Sequence, residues 1–181
     1  MRIVGGEMKG RLIKAPSTDN LRPSMERTRE AIFSVLGDDI VDASVADLFC
    51  GSGALGLEAL SRGATRALFI DSSKAAIRAV RKNTADLGLA GRAVVYEGSV
   101  FHLRPGKLKD ISIVFADPPY EKGYGDRLIT LLCLKNSSFD GILILEHEKG
   151  WSYEGSDCEI MRRLDFGDSS VTFLKVSLRV A

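Results

Sequence analysis

The chain divides near residue 40 into two patterns of apolar and polar positions. After that point, short apolar runs rich in Val, Ile and Phe alternate with segments whose apolar residues recur at helical spacing. Strands buried on both faces and joined through helices form a mostly parallel sheet covered by helices on both faces. The predicted strands are 45–49, 66–70, 92–96, 111–116 and 142–145, and the predicted helices are 54–62, 73–87 and 124–134.

The alternation is absent at both ends of the chain. Near the N-terminus, strands are predicted at 2–6 and 11–15 and a helix at 24–36, which stops at Gly37. Near the C-terminus, an antiparallel pair is predicted at 159–166 and 171–180, turned at Gly167-Asp168. We therefore expect two parts: a small hairpin-and-helix extension at 1–40, and an α/β Rossmann-like domain with a seven-stranded sheet at 41–181.

Charge is unevenly distributed, although the formal net charge is only +1. The first 30 residues have a balance of +3 and the remaining residues a balance of −2. This pattern is typical of a protein that binds phosphates through one terminal segment. An ordinary solvent-exposed surface explains it almost as well. The basic residues of the arm are Arg2, Lys9, Arg11, Lys14, Arg22, Arg27 and Arg29.

Several classes of protein do not fit the composition. Three widely separated cysteines, Cys50, Cys133 and Cys158, suggest neither a disulfide framework nor a zinc site. The chain has no apolar stretch of about 20 residues and no signal-peptide core, so we expect a soluble, cytoplasmic protein. The cluster Glu146-His147-Glu148 alternates along a strand end, which argues against a metal site.

The turn Asp117-Pro118-Pro119-Tyr120 follows an apolar strand and presents acceptors without donors. A carboxylate, a free carbonyl and an aromatic ring suit a flat base that carries an exocyclic amine. A plain stop after a strand, with Asp as a helix cap, explains these four residues equally well. The surrounding sequence must decide between the two interpretations.

A glycine-rich loop follows the first predicted strand and opens a helix. Gly51 and Gly53 permit a tight turn with close backbone approach, and Gly56 lets the helix sit against the sheet. Asp71 ends the next strand, where a ribose hydroxyl would bind. A dinucleotide and S-adenosylmethionine both fit such a loop, but Asp47 favours the second, because a carboxylate suits an ammonium better than a pyrophosphate.

At these residues the chain resembles class I S-adenosylmethionine-dependent methyltransferases that modify exocyclic amines of nucleobases. Within that class it is similar to the bacterial RsmD-type methyltransferases, which methylate N2 of a guanine in 16S ribosomal RNA. The segments that carry the closer resemblance are Arg2-Ile3-Val4-Gly5-Gly6, Lys9-Gly10-Arg11, Arg22-Pro23-Ser24, 29–36, 53–64 and 167–172.

The resemblance implies a role for each matching residue. Asp47, Gly51 and Gly53 would hold the methionine end of the cofactor and Asp71 the ribose. Ser99 stands where the wider class usually has an Asp that contacts the adenine amine. Binding of the adenine would therefore depend more on the backbone N–H of Val100. The implied cofactor set is Asp47, Phe49, Gly51, Gly53, Asp71, Ser72, Ser99, Val100 and Asp117, and the implied catalytic set is Asp117, Pro118, Pro119 and Tyr120.

The expected partner is 16S RNA or the assembling small ribosomal subunit, bound by a monomer without a metal ion. Contacts to RNA are expected from Arg2, Lys9, Arg11, Arg22, Arg27 and Arg29. For Arg27 and Arg29, salt links with Glu26 or Glu30 on the same helix are a serious rival.

Two other functions stay open at this stage. The Asp-Pro-Pro-Tyr chemistry also fits an adenine-N6 methyltransferase acting on DNA or RNA. A non-catalytic RNA-binding or ribosome assembly factor could keep the same fold, although intact Asp47, Asp71 and Asp117 count against it.

Overall fold

The computed structural model describes residues 1–16, 23–104, 106–119, 123–133 and 139–177. Within these ranges the strands are β1 Ser44–Leu48, β2 Arg66–Asp71, β3 Ala93–Glu97, β4 Ile113–Ala116, β5 Gly141–Glu148, β6 Cys158–Phe166 and β7 Ser169–Val176. The helices are α1 Pro23–Leu36, α2 Ala54–Ser61, α3 Lys74–Asp86 and α4 Tyr124–Cys133. The alternation of elements predicted from the apolar pattern is confirmed, with most ends within two residues of the prediction.

The strands form one sheet in the order β3-β2-β1-β4-β5-β7-β6. The first five strands in this order pair in parallel, and β7 pairs antiparallel with both β5 and β6. The chain runs outward in one direction from β1 through β2 to β3, and then returns to the other side of β1 at β4. A crevice for a ligand opens at such a reversal, outside the carboxyl ends of β1 and β4.

Each face of the sheet is covered by a separate hydrophobic cluster. One cluster packs α1, α2 and α3 on the sheet, and Phe33 of α1 meets Phe115 of β4 with ring centroids 5.5 Å apart. The other cluster packs α4 on the opposite face through Leu128, Ile129 and Leu132. None of the described helices has the length and apolar composition needed to cross a membrane.

The prediction that the parallel strands are buried on both faces is wrong for β3. This strand is an edge of the sheet, and its Val94 and Tyr96 side chains are 55% and 41% exposed. Apolar β-branched and aromatic residues favour a strand wherever it lies, so composition could not separate an edge strand from a central one.

The N-terminal segment is less regular than the two strands predicted at 2–6 and 11–15. It has a single β-bridge between Arg2 and Leu12, supported by the bond from Ile13 N–H to Met1 C=O at 2.9 Å. Ile3 and Ile13 are almost fully buried and belong to the same cluster as α1 and α2. Their side chains therefore fix the segment to the sheet domain.

Candidate active site

Four acidic side chains come from the carboxyl ends of four neighbouring strands. Asp47 is the last residue but one of β1, Asp71 ends β2, Asp117 directly follows β4, and Glu146 lies in the last part of β5. Because these strands pair in parallel, their carboxyl ends meet at one edge of the sheet. The crevice at the chain reversal is therefore lined with carboxyl groups.

The glycine loop after β1 adopts the backbone conformations that glycine permits. Gly51 and Gly53 have φ of +52° and +78°, and Phe49 before them also has a positive φ, of +59°. A Cβ on Gly51 would meet no atom within 4 Å, so this part of the loop faces open space. A Cβ on Gly56 would collide with the Phe69 ring, which confirms that Gly56 lets α2 sit against the sheet.

Asp47 is a buried carboxylate beneath this loop. Only 3% of the residue is exposed, and its Oδ2 accepts a hydrogen bond from the Gly56 N–H at 2.9 Å. Burial raises the pKa of Asp47 to about 8; the Gly56 bond opposes this shift, and the charges of Asp117 and Asp71 add to it. A cation placed beside Asp47 would relieve this cost by stabilising the ionised carboxylate.

Asp71 joins the glycine loop to the start of α3. Its Oδ2 accepts from the Gly51 N–H at 2.9 Å and its Oδ1 from the Ser73 N–H at 2.8 Å. Ser73 in turn caps α3, because its Oγ accepts from the Ala76 N–H. Each carboxylate oxygen retains a lone pair that could accept a hydroxyl, and Ser72 lies exposed beside it.

Ser99 and Val100 follow β3, the strand that lies next to β2 and its last residue Asp71. The Gly98 N–H donates to the Asp71 C=O at 2.9 Å, which holds the two loops together. Ser99 precedes a single helical turn, Val100–His102, and Val100 is buried. The predicted ribose and adenine contacts are therefore adjacent in the fold.

Three aromatic rings from different parts of the chain meet beside the glycine loop. Phe49 lies 5.8 Å from Phe101 and 6.2 Å from Tyr124, and the last two rings are 5.1 Å apart. The Arg127 guanidinium stacks over Phe101 at 4.0 Å. Of these residues, only Phe49 was predicted from the sequence, because Phe101 and the two residues of α4 meet it only through the fold.

The acidic turn after β4 opens into the crevice. Asp117 and Pro119 are exposed and Pro118 is buried, while Tyr120 lies outside the described residues. Desolvation of the Asp117 carboxyl by the protein around it, followed by the charge of Glu146, raises its pKa to about 7 although the residue is exposed. The structure therefore places Asp117 on the same edge of the sheet as Asp47, whose pKa it influences.

A cleft adjoins the turn and is open to solvent. Its walls include Pro118, Pro119, Tyr124, Glu146 and Trp151. The two prolines and two aromatic rings among these residues give the cleft flat apolar surfaces, which suit one flat ring.

Trp151 and His147 form the deeper wall of this cleft, with ring centroids 4.5 Å apart. His147 is buried; its Nδ1 lies 2.8 Å from the Glu148 C=O and its Nε2 2.8 Å from Thr172 Oγ1. Burial lowers the pKa of His147, which favours the neutral ring. Among the described residues, no group of three or more His, Cys, Asp or Glu side chains could hold a metal ion.

The prediction that Arg29 contacts RNA is wrong, because its side chain is almost completely buried. Its Nη2 donates to the Arg2 C=O at 2.7 Å, and its Nε lies 3.7 Å from Oε2 of Glu58, a fully buried residue of α2. Arg29 therefore fixes the N-terminal segment to α2. Helical spacing placed Arg29 on α1 but could not indicate which face of the helix is covered.

The other basic residues of the arm that the structure describes are exposed. Arg2 donates to the Gly10 C=O at 2.7 Å, Arg11 donates to the Asp86 C=O at 3.1 Å, and Lys14 pairs with the Asp86 carboxylate at 3.5 Å. These contacts place the arm against the end of α3. Lys9 and Arg27 are also exposed, and Arg22 lies outside the described residues.

The sheet order, the glycine loop and the acidic strand ends define the fold of the class I S-adenosylmethionine-dependent methyltransferases. The match of a protein-family model described as "Conserved hypothetical protein 95" covers residues 1–175. The chain belongs to this family, and the resemblance to RsmD-type proteins is thereby confirmed.

Curated relatives from several bacteria carry the name Ribosomal RNA small subunit methyltransferase D. The protein of Escherichia coli K12 is 42% identical over 132 residues, which cover 73% of this chain and 66% of that relative, slightly less than two thirds of its length. The protein of Buchnera aphidicola subsp. Acyrthosiphon pisum is 32% identical over 151 residues, which cover 81% of this chain and 78% of the relative.

Solved structures agree with the assignment of the fold. The structure of the E. coli protein yhhF superposes with a TM-score of 0.84 at 32% identity, covering 99% of both chains. A hypothetical protein of Thermus thermophilus superposes with a TM-score of 0.77 at 26% identity, covering 97% of this chain and 99% of its own.

Proposed function

We propose that this protein transfers a methyl group from S-adenosylmethionine to the exocyclic N2 amine of a guanine in 16S ribosomal RNA. The observation that carries the proposal is the position of the Asp117 turn across the crevice from Asp47 and the glycine loop. A site for a methyl donor and an acceptor-lined site for an amine therefore share one edge of the sheet.

The residues on the donor side fit S-adenosylmethionine. Gly51 faces open space, so the backbone can approach a ligand closely. Asp47 would bind the ammonium of the methionine end, which offsets the cost of the buried carboxylate charge. Asp71 would accept hydrogen bonds from the ribose hydroxyls. When bound, this group supplies a methyl on a positively charged sulfur.

At the site for the methyl acceptor, the Asp117 carboxylate and the Pro118 carbonyl would accept hydrogen bonds from the two N–H groups of the amine. The amine lone pair is delocalised into the base, and acceptors on both N–H groups favour a more tetrahedral nitrogen. The nitrogen loses a proton after it gains the methyl group, and the Asp117 carboxylate can take that proton. With its pKa raised to about 7, Asp117 is close to the value that suits a general base at neutral pH.

The choice of ribosomal RNA rests on the family. Both curated relatives named above are called small-subunit ribosomal RNA methyltransferases, and the N-terminal segments of this chain resemble those of RsmD-type proteins. An amine within an RNA helix cannot reach a crevice, so the base must be unpaired or flipped and then stacked, with Tyr120 as the proposed platform.

The exposed part of the arm would hold the RNA around the target base. We assign this role to Arg2, Lys9, Arg11, Arg22 and Arg27, and we remove Arg29 from the set because it is buried. Contacts to phosphates hold the RNA in register and contribute affinity without reading its sequence.

The test uses the purified protein with labelled S-adenosylmethionine and 16S RNA from a strain that lacks the enzyme. The RNA is offered both bare and assembled into the small subunit, and the products are digested and identified as nucleosides by mass spectrometry. We expect N2-methylguanosine. N6-methyladenosine would instead identify an adenine methyltransferase, and the absence of transfer to either form would support a non-catalytic assembly factor.

A further inference from the structure

Glu146 lies beside Asp117 at the end of the neighbouring strand. In the pairing of β4 with β5, Ala116 is level with Leu145, and Asp117 and Glu146 directly follow these two residues. Neighbouring strands are about 4.8 Å apart, and residues at the same level of a parallel pair share a face. The two carboxylates therefore belong to one wall of the crevice.

The Glu146 side chain is held in place by the antiparallel end of the sheet. It is half-buried, and its Oε1 accepts a hydrogen bond from Ser169 Oγ at 3.1 Å, at the first residue of β7. Glu146 also lines the cleft that is formed with Pro118, Pro119 and Tyr124. A carboxylate has about four acceptor positions, so Glu146 can accept from more than one donor at a time.

This inference rests on the proposed function, in which the base enters beside the Asp117 turn. Guanine presents two kinds of donor next to each other, the N2 amine and the ring N1–H. Adenine presents its amine next to N1 as a bare acceptor, which a carboxylate would repel. A second carboxylate beside the one that holds the amine therefore distinguishes the two purines.

We propose that Glu146 is the residue that selects guanine, by accepting the N1–H of the base while the Asp117 turn holds its N2 amine. Ser169 acts as a positioning residue, because its hydroxyl orients the Glu146 carboxylate. A site built to bind an N–H discriminates strongly against an analogue that lacks it, since a buried acceptor is then left unpaired.

The experiment compares guanine with 2-aminopurine, which keeps the N2 amine but has an acceptor at N1. The guanine that is mapped as the target is replaced in 16S RNA by splint ligation, and kcat/KM is measured for both RNAs. We expect wild type to prefer guanine strongly. Glu146→Gln can donate an N–H to N1 of 2-aminopurine, so its preference for guanine should fall by about 10-fold or more.

Glu159→Gln is the control, since Glu159 is an exposed residue of β6 that does not line the cleft. It should leave the ratio of the two kcat/KM values unchanged. Binding of S-adenosylhomocysteine, measured by calorimetry, verifies that each variant is folded with its donor site intact.

The outcomes separate the inference from the function on which it rests. If wild type methylates no guanine, the proposed function fails. If wild type methylates guanine but Glu146→Gln lowers kcat/KM equally for both RNAs, or if Glu159→Gln changes the ratio as much, the role of Glu146 is overturned.

Discussion

The Arg29 guanidinium of α1 and the Glu58 carboxylate of α2 form a buried ion pair, with Nε and Oε2 3.7 Å apart. Glu58 also accepts from the Arg62 Nε at 2.8 Å and from the Val4 N–H at 2.9 Å. One fully buried carboxylate therefore joins the N-terminal segment, α1 and α2. This network gives Arg29 a structural role where the sequence predicted an RNA contact.

We expect Arg29→Met to lower the free energy of unfolding by about 3 kcal/mol or more, because it leaves part of a buried charge uncompensated. Urea denaturation measures the change. Arg27→Met is the matched control on the same helix, and because Arg27 is exposed, its effect should stay within about 0.5 kcal/mol. Equal stability of the two variants would contradict the assignment of Arg29.

The exposed residues of the arm should act on RNA affinity alone. We expect the double variant Lys9→Glu with Arg27→Glu to bind 16S RNA more weakly and with a smaller dependence on salt, because phosphate contacts release counterions. Lys109→Glu, an exposed residue near the amino end of β4, serves as the control. A parallel loss of S-adenosylhomocysteine binding would indicate that the arm supports folding instead.

Asp47 should make ligand affinity depend on pH. Its carboxyl keeps its proton up to about pH 8 in the free protein, and a ligand ammonium binds the ionised form. Calorimetry with S-adenosylhomocysteine should therefore show affinity rising between about pH 6 and 7.5. Asp47→Asn should bind more weakly and without this dependence, and an unchanged affinity in the variant would argue against the ammonium contact.

Asp47 should also make the stability of the free protein fall as pH rises, whereas the ligand affinity rises. Because the pKa of Asp47 is raised to about 8 from 3.8, the folded protein holds a proton that the unfolded chain releases, so stability falls as pH rises between these values. Asp47→Asn should remove this contribution. Thermal unfolding measures this as the melting temperature of the variant minus that of wild type. The difference should be larger at pH 8 than at pH 5.

The rate of methyl transfer should fall as pH drops below about 7, because Asp117 then becomes protonated and loses an acceptor. The charge of Glu146 contributes to the raised pKa of Asp117. In Glu146→Gln the fall should therefore occur at lower pH, as measured by kcat at saturating RNA. A profile that coincides with that of wild type would show that the two carboxylates do not interact.

The regular part of the fold could be predicted because its signal is local. Apolar runs and glycine positions fixed the strands, the helices and the loop from Gly51 to Gly56, and the structure keeps them in order. The edge position of β3 could not be predicted, because its apolar residues are typical of any strand. The burial of Arg29 escaped prediction for a related reason, since its partner Glu58 lies 29 residues away in the sequence.

The candidate site was predictable to a similar extent. Asp47 lies near the end of a strand, Asp71 ends one and Asp117 follows one, so the rule for parallel sheets brought them together from sequence alone. From the sequence, Glu146 was interpreted only as part of a possible metal cluster. Its proximity to Asp117 depends on the pairing of β4 with β5, which the local sequence does not indicate. Phe101 and Tyr124 likewise meet Phe49 only through the fold.

The central claim is that the Asp117 turn and the glycine loop form one methyl-transfer site for a guanine amine. The most direct measurement compares wild type with Asp117→Ala by nucleoside mass spectrometry of treated 16S RNA, with S-adenosylhomocysteine binding measured in parallel. We predict N2-methylguanosine with wild type and almost none with the variant, at nearly unchanged ligand affinity. Transfer by Asp117→Ala within a few-fold of wild type, or a product other than N2-methylguanosine, would contradict the account.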